Sequence, residues 1–173
     1  MSITIDNRIA LGNISDLTIP TATQNLSYRL GDVIGYIDSD TKTIKKYMYV
    51  KSHTGLTAYQ PYAIAYGATA GSEVITAAPV ALTDANVYIC WPQVAFTSGY
   101  YGFVQIEGNL TSAITASTGA IAGNALTIAA AGTTLVTTTG ATRTAKTVGY
   151  LVATTTGATC SVYAPGMSIH LST

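Results

Sequence analysis

From residue 31 onward the chain is a series of short runs rich in Val, Ile, Thr and Tyr, separated by Gly, Asn, Asp and Ser. β-branched and aromatic residues favour strands, whereas the small polar residues between the runs favour turns. A helical period is sustained nowhere in the sequence. The regular spacing of strand and turn signals therefore predicts an all-β fold, which we expect to be a single antiparallel β-barrel or β-sandwich.

The first strand pair has the clearest signal. The runs VIGYID (33–38) and TIKKYMYVK (43–51) are separated by four residues, SDTK, whose number and chemistry are typical of a hairpin turn. In the second run, alternate residues with rings and ammonium groups share one face: Lys45, Tyr47, Tyr49 and Lys51. Because this face is amphipathic, we expect it to be exposed.

Eight further extended runs follow, and their sequences indicate strands rather than a linker. They are AYQPYAIAY (58–66), SEVITAAPVAL (72–82), NVYICW (86–91), NLTSAITA (109–116), ALTIA (125–129), TLVTT (134–138), VGYLVAT (148–154) and CSVYA (160–164). The tract from 111 to 159 is dominated by Ala, Thr and Gly, but flexible linkers of that composition lack its recurring Val, Ile and Leu. We interpret the back half as a meander of short strands.

The stretch GYYGFVQIEG, which begins at residue 99, places three aromatic residues around a glycine. Strand alternation predicts that Val104 and Ile106 point into the core. It turns Tyr101 and Phe103 to the other side, where they would cover a second apolar layer or form an exposed contact patch. A glycine inside a strand indicates a bulge or a large side chain lying over the backbone.

Charged residues make up only 9% of the chain, far below the roughly 25% of an average soluble domain, and the formal net charge is +0. The surface must therefore consist mainly of Thr, Ser, Asn, Gln, Tyr and Gly, which suits contacts with proteins. Zero net charge removes the long-range attraction on which binding to nucleic acid or anionic lipid depends. The opening residues MSITIDNRIALG lack the pattern of a secretory signal, so we expect folding in a cytoplasm.

The residue types used in catalysis and metal binding are sparse and scattered. His53 and His170 are the only histidines, and neither stands beside a Ser, Cys or carboxylate pattern of the kind that a nucleophile or metal site needs. We therefore predict no catalytic, cofactor-binding or metal-binding residues, and a protein that is not an enzyme. Cys90 and Cys160 lie far apart in apolar strand contexts without a CxxC motif, which favours two buried free thiols over a disulfide, a metal site or a catalytic role.

Four segments together resemble the small capsid decoration proteins of tailed bacteriophages. They are KKYMYVK (45–51), YGFVQIEG (101–108), AGNAL (122–126) and VGYLVAT (148–154), and the resemblance covers about residues 31 to 165. It implies a non-enzymatic protein without cofactors that binds the outer face of the assembled major capsid protein and cements neighbouring capsomers. It also implies a homotrimer or other small homo-oligomer on the exterior of the virion, assembled in the host cytoplasm, without nucleic acid or membrane as a partner.

Residues 1–28 stand apart from this pattern. They carry several apolar residues without a steady period, and Pro20 interrupts any regular element. Two interpretations remain open: a first strand and loop packed on the same domain, or an N-terminal arm that docks on a neighbouring subunit. We therefore divide the chain into residues 1–28, the arm or first strand and loop, and residues 29–173, the β-barrel or β-sandwich body.

Seven residues are predicted to contact the capsid: Ile3, Ile5 and Ile9 of the arm, Lys45 and Lys46 of the hairpin, and Tyr101 and Phe103 of the aromatic face. In this interpretation, deleting residues 2 to 20 weakens binding to the shell and leaves the body folded. The alternative function is a receptor- or carbohydrate-binding module of a phage fibre or tail, using exposed tyrosines. A β-rich hydrolase and a major shell subunit are the remaining alternatives.

Overall fold

The computed structural model describes residues 19–38, 42–66, 73–77, 88–115, 120–128, 134–137, 147–155 and 157–166. Within these ranges the chain forms strands and no helix. The strands are β1 (Val33–Ile37), β2 (Ile44–Ser52), β3 (Tyr62–Tyr66), β4 (Glu73–Ala77), β5 (Tyr88–Cys90), β6 (Tyr101–Ile114), β7 (Ala125–Ile128), β8 (Leu135–Thr137), β9 (Gly149–Leu151) and β10 (Thr159–Pro165). The all-β prediction is confirmed. A helix long and apolar enough to cross a bilayer does not occur in the described ranges.

The predicted hairpin is confirmed. β1 and β2 pair antiparallel, with Val33 opposite Met48 and Ile37 opposite Ile44. At the turn, the Asp38 N–H donates to the Thr43 carbonyl over 2.9 Å. Since cross-strand partners share a face, Val33, Ile37 and Ile44 lie on the same side of the hairpin.

The long strand β6 joins the two halves of the molecule. Its first half pairs antiparallel with β2, and its second half pairs antiparallel with β10. Along the sheet the strands follow the order β5-β3-β4-β2-β6-β10-β9-β7-β8, with β1 attached to β2 beside this path. β5 and β8 form the two ends, so the described strands do not close into one barrel.

One pairing departs from the predicted antiparallel sheet. β2 and β4 run parallel, with Lys51 opposite Val74 and Ser52 opposite Ile75. β4 pairs antiparallel with β3 and lies between β2 and β3. β3 therefore does not pair with β2, although it follows β2 in the chain. β4 comes next, lies between β2 and β3, and runs in the same direction as β2.

The back half is not the predicted meander. β7 and β8 form a hairpin, and β9 pairs with β7 on one side and with β10 on the other. β10 then returns to the edge of β6, far from it in sequence. β6 and β10 contribute apolar side chains to the same core, Leu110 from β6 and Val162 from β10. Burial of these side chains favours the pairing of two strands that are distant in sequence over a pairing of consecutive strands.

Most of the buried side chains of the described residues form two cores, one on each side of β5. The front core contains Met48, Val50, Leu56, Tyr62, Ile64, Cys90, Phe96, Val104 and Ile106. The back core includes Ile89, Trp91, Leu110, Ala113, Leu126, Ile128, Leu135, Leu151, Cys160 and Val162. Successive residues of β5 thus point to opposite cores, as strand alternation requires. The prediction that Val104 and Ile106 point inward is confirmed.

The glycine between the aromatic residues, Gly102, admits a large side chain. A Cβ at this position would lie 2.9 Å from two ring atoms of Phe96, so the ring rests against the bare backbone of β6. This confirms one of the two predicted uses of a glycine inside this strand.

A bulge follows in the same strand. Lys46 pairs with Glu107 and Tyr47 pairs with Gln105, so Ile106 is an extra residue on β6. The buried Gln105 amide donates from Nε2 to the carbonyls of Glu107 and Asn109, over 3.1 Å each. These bonds satisfy carbonyl groups next to the place where the ladder is interrupted.

Gly108 completes the bend after the bulge. Its φ of 96° lies in the left-handed region, and a Cβ there would collide with the Ile44 carbonyl oxygen and lie 3.0 Å from the Lys45 Cα. Both the backbone conformation and the close approach of β2 therefore require glycine.

Gly108→Ala is expected to lower the free energy of unfolding by about 2–4 kcal/mol, because it adds a backbone collision to an unfavourable φ. The matched control is Gly123→Ala, since Gly123 has a similar φ of 87° but an open Cβ position. This control is expected to cost only about 1 kcal/mol. Urea unfolding followed by fluorescence measures both, and equal losses would show that the contact with β2 is unimportant.

Candidate interaction surfaces

One face of β2 and β6 carries an aromatic layer that lies outside both cores. We call Tyr47, Tyr49 and Phe103 the aromatic layer, and all three are buried. The prediction that this face of β2 is exposed was therefore wrong. Tyr28 and Leu30 from the chain before β1 pack against this layer. Backbone hydrogen bonds hold that chain beside β2, with the Gly31 N–H donating to the Tyr49 carbonyl and the Tyr49 N–H donating to the Asp32 carbonyl.

The rings of this region pack at favourable distances. The Phe103 ring centroid lies 5.0 Å from that of Tyr49 and 4.8 Å from that of Tyr28, the latter in an edge-to-face arrangement. The Tyr101 centroid lies 6.5 Å from that of Tyr49. Such pairs contribute about 0.5–1.5 kcal/mol each beyond the burial of area. Two roles were predicted for the face of β6 that bears Tyr101 and Phe103: covering a second apolar layer or forming an exposed contact patch. Phe103 is only 4% exposed, so it has the first role.

Residues 19–25 pack against the same region. Thr21 and Tyr101 exchange two backbone hydrogen bonds of 2.8 Å, and the Asn25 N–H donates to the Tyr49 hydroxyl over 2.9 Å. Burial raises the pKa of Tyr49, and the hydrogen bond from Asn25 opposes part of that rise. The hydroxyl is therefore neutral at physiological pH.

A cleft of about 130 Å³ lies between this segment and the rings. The rings of Tyr28, Tyr49, Tyr101 and Phe103 line it, together with Thr21 and Asn25. None of its lining residues carries a formal charge. We refer to it as the tyrosine cleft.

The predicted lysine contacts are engaged within the chain. The Lys45 ammonium lies 2.6 Å from the Asp38 carboxylate, and the Lys46 ammonium lies 2.8 Å from the Glu107 carboxylate. Lys45 is largely buried, whereas the Lys46 side chain is 43% exposed. These pairs cancel much of the local positive charge and fix the orientation of both side chains.

The most prominent apolar surface of the hairpin was not predicted. Val33, Ile37 and Ile44 share a face and are 48%, 59% and 56% exposed, and we call them the hairpin patch. Within the described residues, β1 pairs with β2 alone. Alternation along VIGYI and the hairpin register with β2 could have placed these three residues on one face of the hairpin. The sequence alone does not show which face of the hairpin the rest of the chain covers.

The residues predicted to contact the capsid do not form one surface in the described part of the chain. Tyr101 is half-buried and lines the tyrosine cleft, while Phe103 is one of its buried neighbours. Lys45 and Lys46 flank the hairpin patch along β2. Ile3, Ile5 and Ile9 lie outside the described residues, so their role stays a prediction, as does the boundary at residue 28.

Catalytic and metal-binding groups do not converge in the described part of the chain. No group of three or more His, Cys, Asp or Glu side chains there could hold a metal ion. His53 is exposed, and its carbonyl accepts a hydrogen bond from the Ser98 hydroxyl. His170 lies outside the described ranges.

Cys90 and Cys160 are free and buried, as predicted. Burial raises the pKa of the Cys90 thiol far above its usual value, and it also raises the pKa of the Cys160 thiol. The Cys160 thiol additionally donates to the Ala113 carbonyl, with a sulfur to oxygen distance of 3.7 Å. Neither group is a thiolate at neutral pH, so neither is activated as a nucleophile.

Above pH 9, the stability of the reduced protein is expected to fall because the unfolded chain loses the Cys90 proton while the folded chain keeps it. The contribution of this thiol is about 1.4 kcal/mol per pH unit. Cys90→Ala should be less stable at pH 7, by roughly 1 kcal/mol for the lost packing, but should show a shallower fall. Urea unfolding between pH 7 and pH 10 measures the slopes, with Cys160→Ala for comparison, and identical slopes for the wild type and Cys90→Ala would contradict the prediction.

Comparison with known proteins identifies no family for this chain. No protein-family model matches it, and no curated protein matches it. Among solved structures, it is similar to the N base of head fiber gp8.5 in bacteriophage phi29, with 18% sequence identity and a TM-score of 0.48 over 73% of this chain and 98% of that chain. At that level the likeness carries no conclusion about function, which must be argued from the residues themselves.

Proposed function

We propose that the chain is a structural protein of a tailed-bacteriophage virion, which binds the outer surface of the assembled capsid and stabilises the contacts between capsomers. The resemblance of its four segments to decoration proteins supports this function. So do a surface with few charges and a strand-rich body. The partner in this proposal is the major capsid protein, together with further copies of the chain in a homotrimer or other small homo-oligomer.

The observation that carries the proposal is the hairpin patch. Three large branched side chains stand about half exposed on one face of the β1–β2 hairpin. Such a group favours a protein interface with an apolar centre. The Lys46–Glu107 pair beside it supplies a polar rim, which sets orientation more than affinity.

A decoration protein needs no chemistry to stabilise a shell. A ligand that binds the assembled lattice and not its separated subunits shifts the equilibrium towards assembly. An oligomer that engages several capsomers at once gains further from effective concentration. Modest contacts at each site are then sufficient, which suits a patch of three residues.

For the body, we propose a sandwich-like arrangement rather than a barrel. In the described residues the two end strands, β5 and β8, do not pair with each other, although Trp91 after β5 and Leu135 of β8 each bridge to the β6 region, at Gln105 and Thr115. β5 lies between two cores. This arrangement leaves the β1 edge and the hairpin patch at the side of the body, where a partner can reach them.

Electron cryomicroscopy of the parent phage particle tests the proposed function directly. Density for the chain should recur at symmetry or quasi-symmetry positions on the outside of the icosahedral shell. Density confined to the tail or its fibres would overturn this function and favour the receptor- or carbohydrate-binding alternative.

The double variant Ile37→Thr with Ile44→Thr is expected to weaken binding to shells by about 10- to 100-fold, because it removes apolar area at the centre of the interface. Stability should change little, since both side chains are exposed. Cosedimentation with shells that lack the protein measures binding. The matched control is the double variant Ile121→Thr with Val152→Thr, which changes two exposed positions outside the hairpin. If both double variants bind shells equally well, the hairpin patch is not the contact surface.

The proposed arm is tested by a deletion that the structure now delimits. Thr21 is bonded to Tyr101, and a Cβ at Gly102 would lie 3.3 Å from the Pro20 backbone, so both residues belong to the packed body. Deleting residues 2–18 should therefore leave thermal unfolding nearly unchanged and weaken shell binding at least tenfold. Deleting residues 2–20 is the comparison and should lower stability as well. Unchanged shell binding after either deletion would contradict a role for the arm.

A further inference from the structure

The tyrosine cleft combines ring surfaces with hydrogen-bonding groups. Tyr49 and Phe103 are almost fully buried, whereas Tyr28 and Tyr101 are half-buried and border the opening. Aromatic rings offer flat apolar surfaces, and tyrosine adds a polar hydroxyl at the end of each ring. A ligand that fits must therefore also have an apolar face and polar edges.

The Tyr49 hydroxyl keeps its own proton available for donation, and Tyr49 lines the cleft. It accepts a hydrogen bond from the Asn25 N–H, and this is its one hydrogen bond within the described residues. A phenolic hydroxyl can donate as well as accept, and the raised pKa keeps the proton in place. The Asn25 side-chain oxygen already accepts from the Ser27 N–H, which holds the loop beside the cleft in one conformation.

Size and charge restrict the ligand further. The volume of about 130 Å³ is comparable to that of a cavity that accepts a single benzene molecule, which is the size of one six-membered ring. Its lining residues carry no charge, and neither an anion nor a cation would find a counter-charge among them. The nearest cation in an aromatic contact, the Lys51 ammonium, already lies 5.3 Å from the Tyr101 centroid.

We propose that the tyrosine cleft binds one neutral pyranose ring of a saccharide. The C–H face of such a ring stacks on tyrosine, and its hydroxyl groups accept from Tyr49 and exchange hydrogen bonds with the cleft edge. A proline-rich peptide is the other ligand that aromatic grooves commonly hold, but it needs a row of subsites along an extended groove. A cleft for one ring fits a sugar better.

This site does not depend on capsid binding, and either proposal can fail while the other holds. The isolated full-length protein is tested by saturation-transfer NMR against glucose, galactose, mannose and N-acetylglucosamine. A single ring in a small open cleft is expected to bind with a Kd of about 1 mM. Saturation transfer should therefore be seen for at least one of the four sugars.

Two variants locate the binding. Tyr28→Ala and Tyr101→Ala should each weaken it about tenfold, because each removes a stacking ring. Tyr28→Phe keeps the ring and should retain most of the binding. Tyr163→Ala is the matched control, since Tyr163 is 42% exposed on β10 and does not line the cleft. Circular dichroism of each variant confirms that it is folded.

The outcomes are decisive in both directions. Transfer to a sugar that Tyr28→Ala reduces and Tyr163→Ala preserves supports the proposal, even if Tyr101→Ala proves unstable. Transfer to none of the four sugars overturns it, as does binding that survives both cleft variants. Transfer only to the neutral peptide acetyl-Pro-Pro-Pro-amide, run in parallel, would also overturn it and assign the cleft to a peptide.

Discussion

The whole architecture depends on one strand, β6, that is long enough to pair with both halves of the sheet. β6 bonds to β2 along its first half and to β10 along its second, and the bulge at Ile106 with Gly108 bends it between the two. At the same bend, Gln105 exchanges two backbone hydrogen bonds with Trp91, which ties β5 to β6. Val104 in its first half belongs to the front core and Leu110 in its second half belongs to the back core, so β6 connects the two cores.

The sequence predicted the strands well because their signals are local. Nearly every run rich in Val, Ile, Thr and Tyr contains a strand, and the β1–β2 turn is marked by its own residues. Strand order was not predictable in this way. The insertion of β4 beside β2 and the return of β10 to β6 depend on which apolar faces meet across long stretches of chain, and alternation within a strand carries no information about its neighbour.

The surfaces were harder to predict than the fold for a related reason. Tyr47 and Tyr49 carry the pattern of an amphipathic exposed face, yet a segment without any regular period covers them, as its hydrogen bonds to Tyr49 show. The exposed apolar side chains of the hairpin lie instead near its turn, at Ile37 and Ile44, on the face that carries the buried Met48 farther along β2. The predicted role of Tyr101 as a contact residue stays a prediction, and its neighbours in the tyrosine cleft, Tyr28 and Asn25, are far from it in sequence.

β5 has an additional consequence for how the molecule comes apart. Ile89 and Trp91 belong to the back core, and Cys90 between them belongs to the front core. Removing this strand from either core opens a void in the other at the same time, and close-packed interiors tolerate such voids poorly. We therefore expect the two halves to unfold together on heating or under mechanical load, as a single cooperative unit, although most of each core comes from its own set of strands.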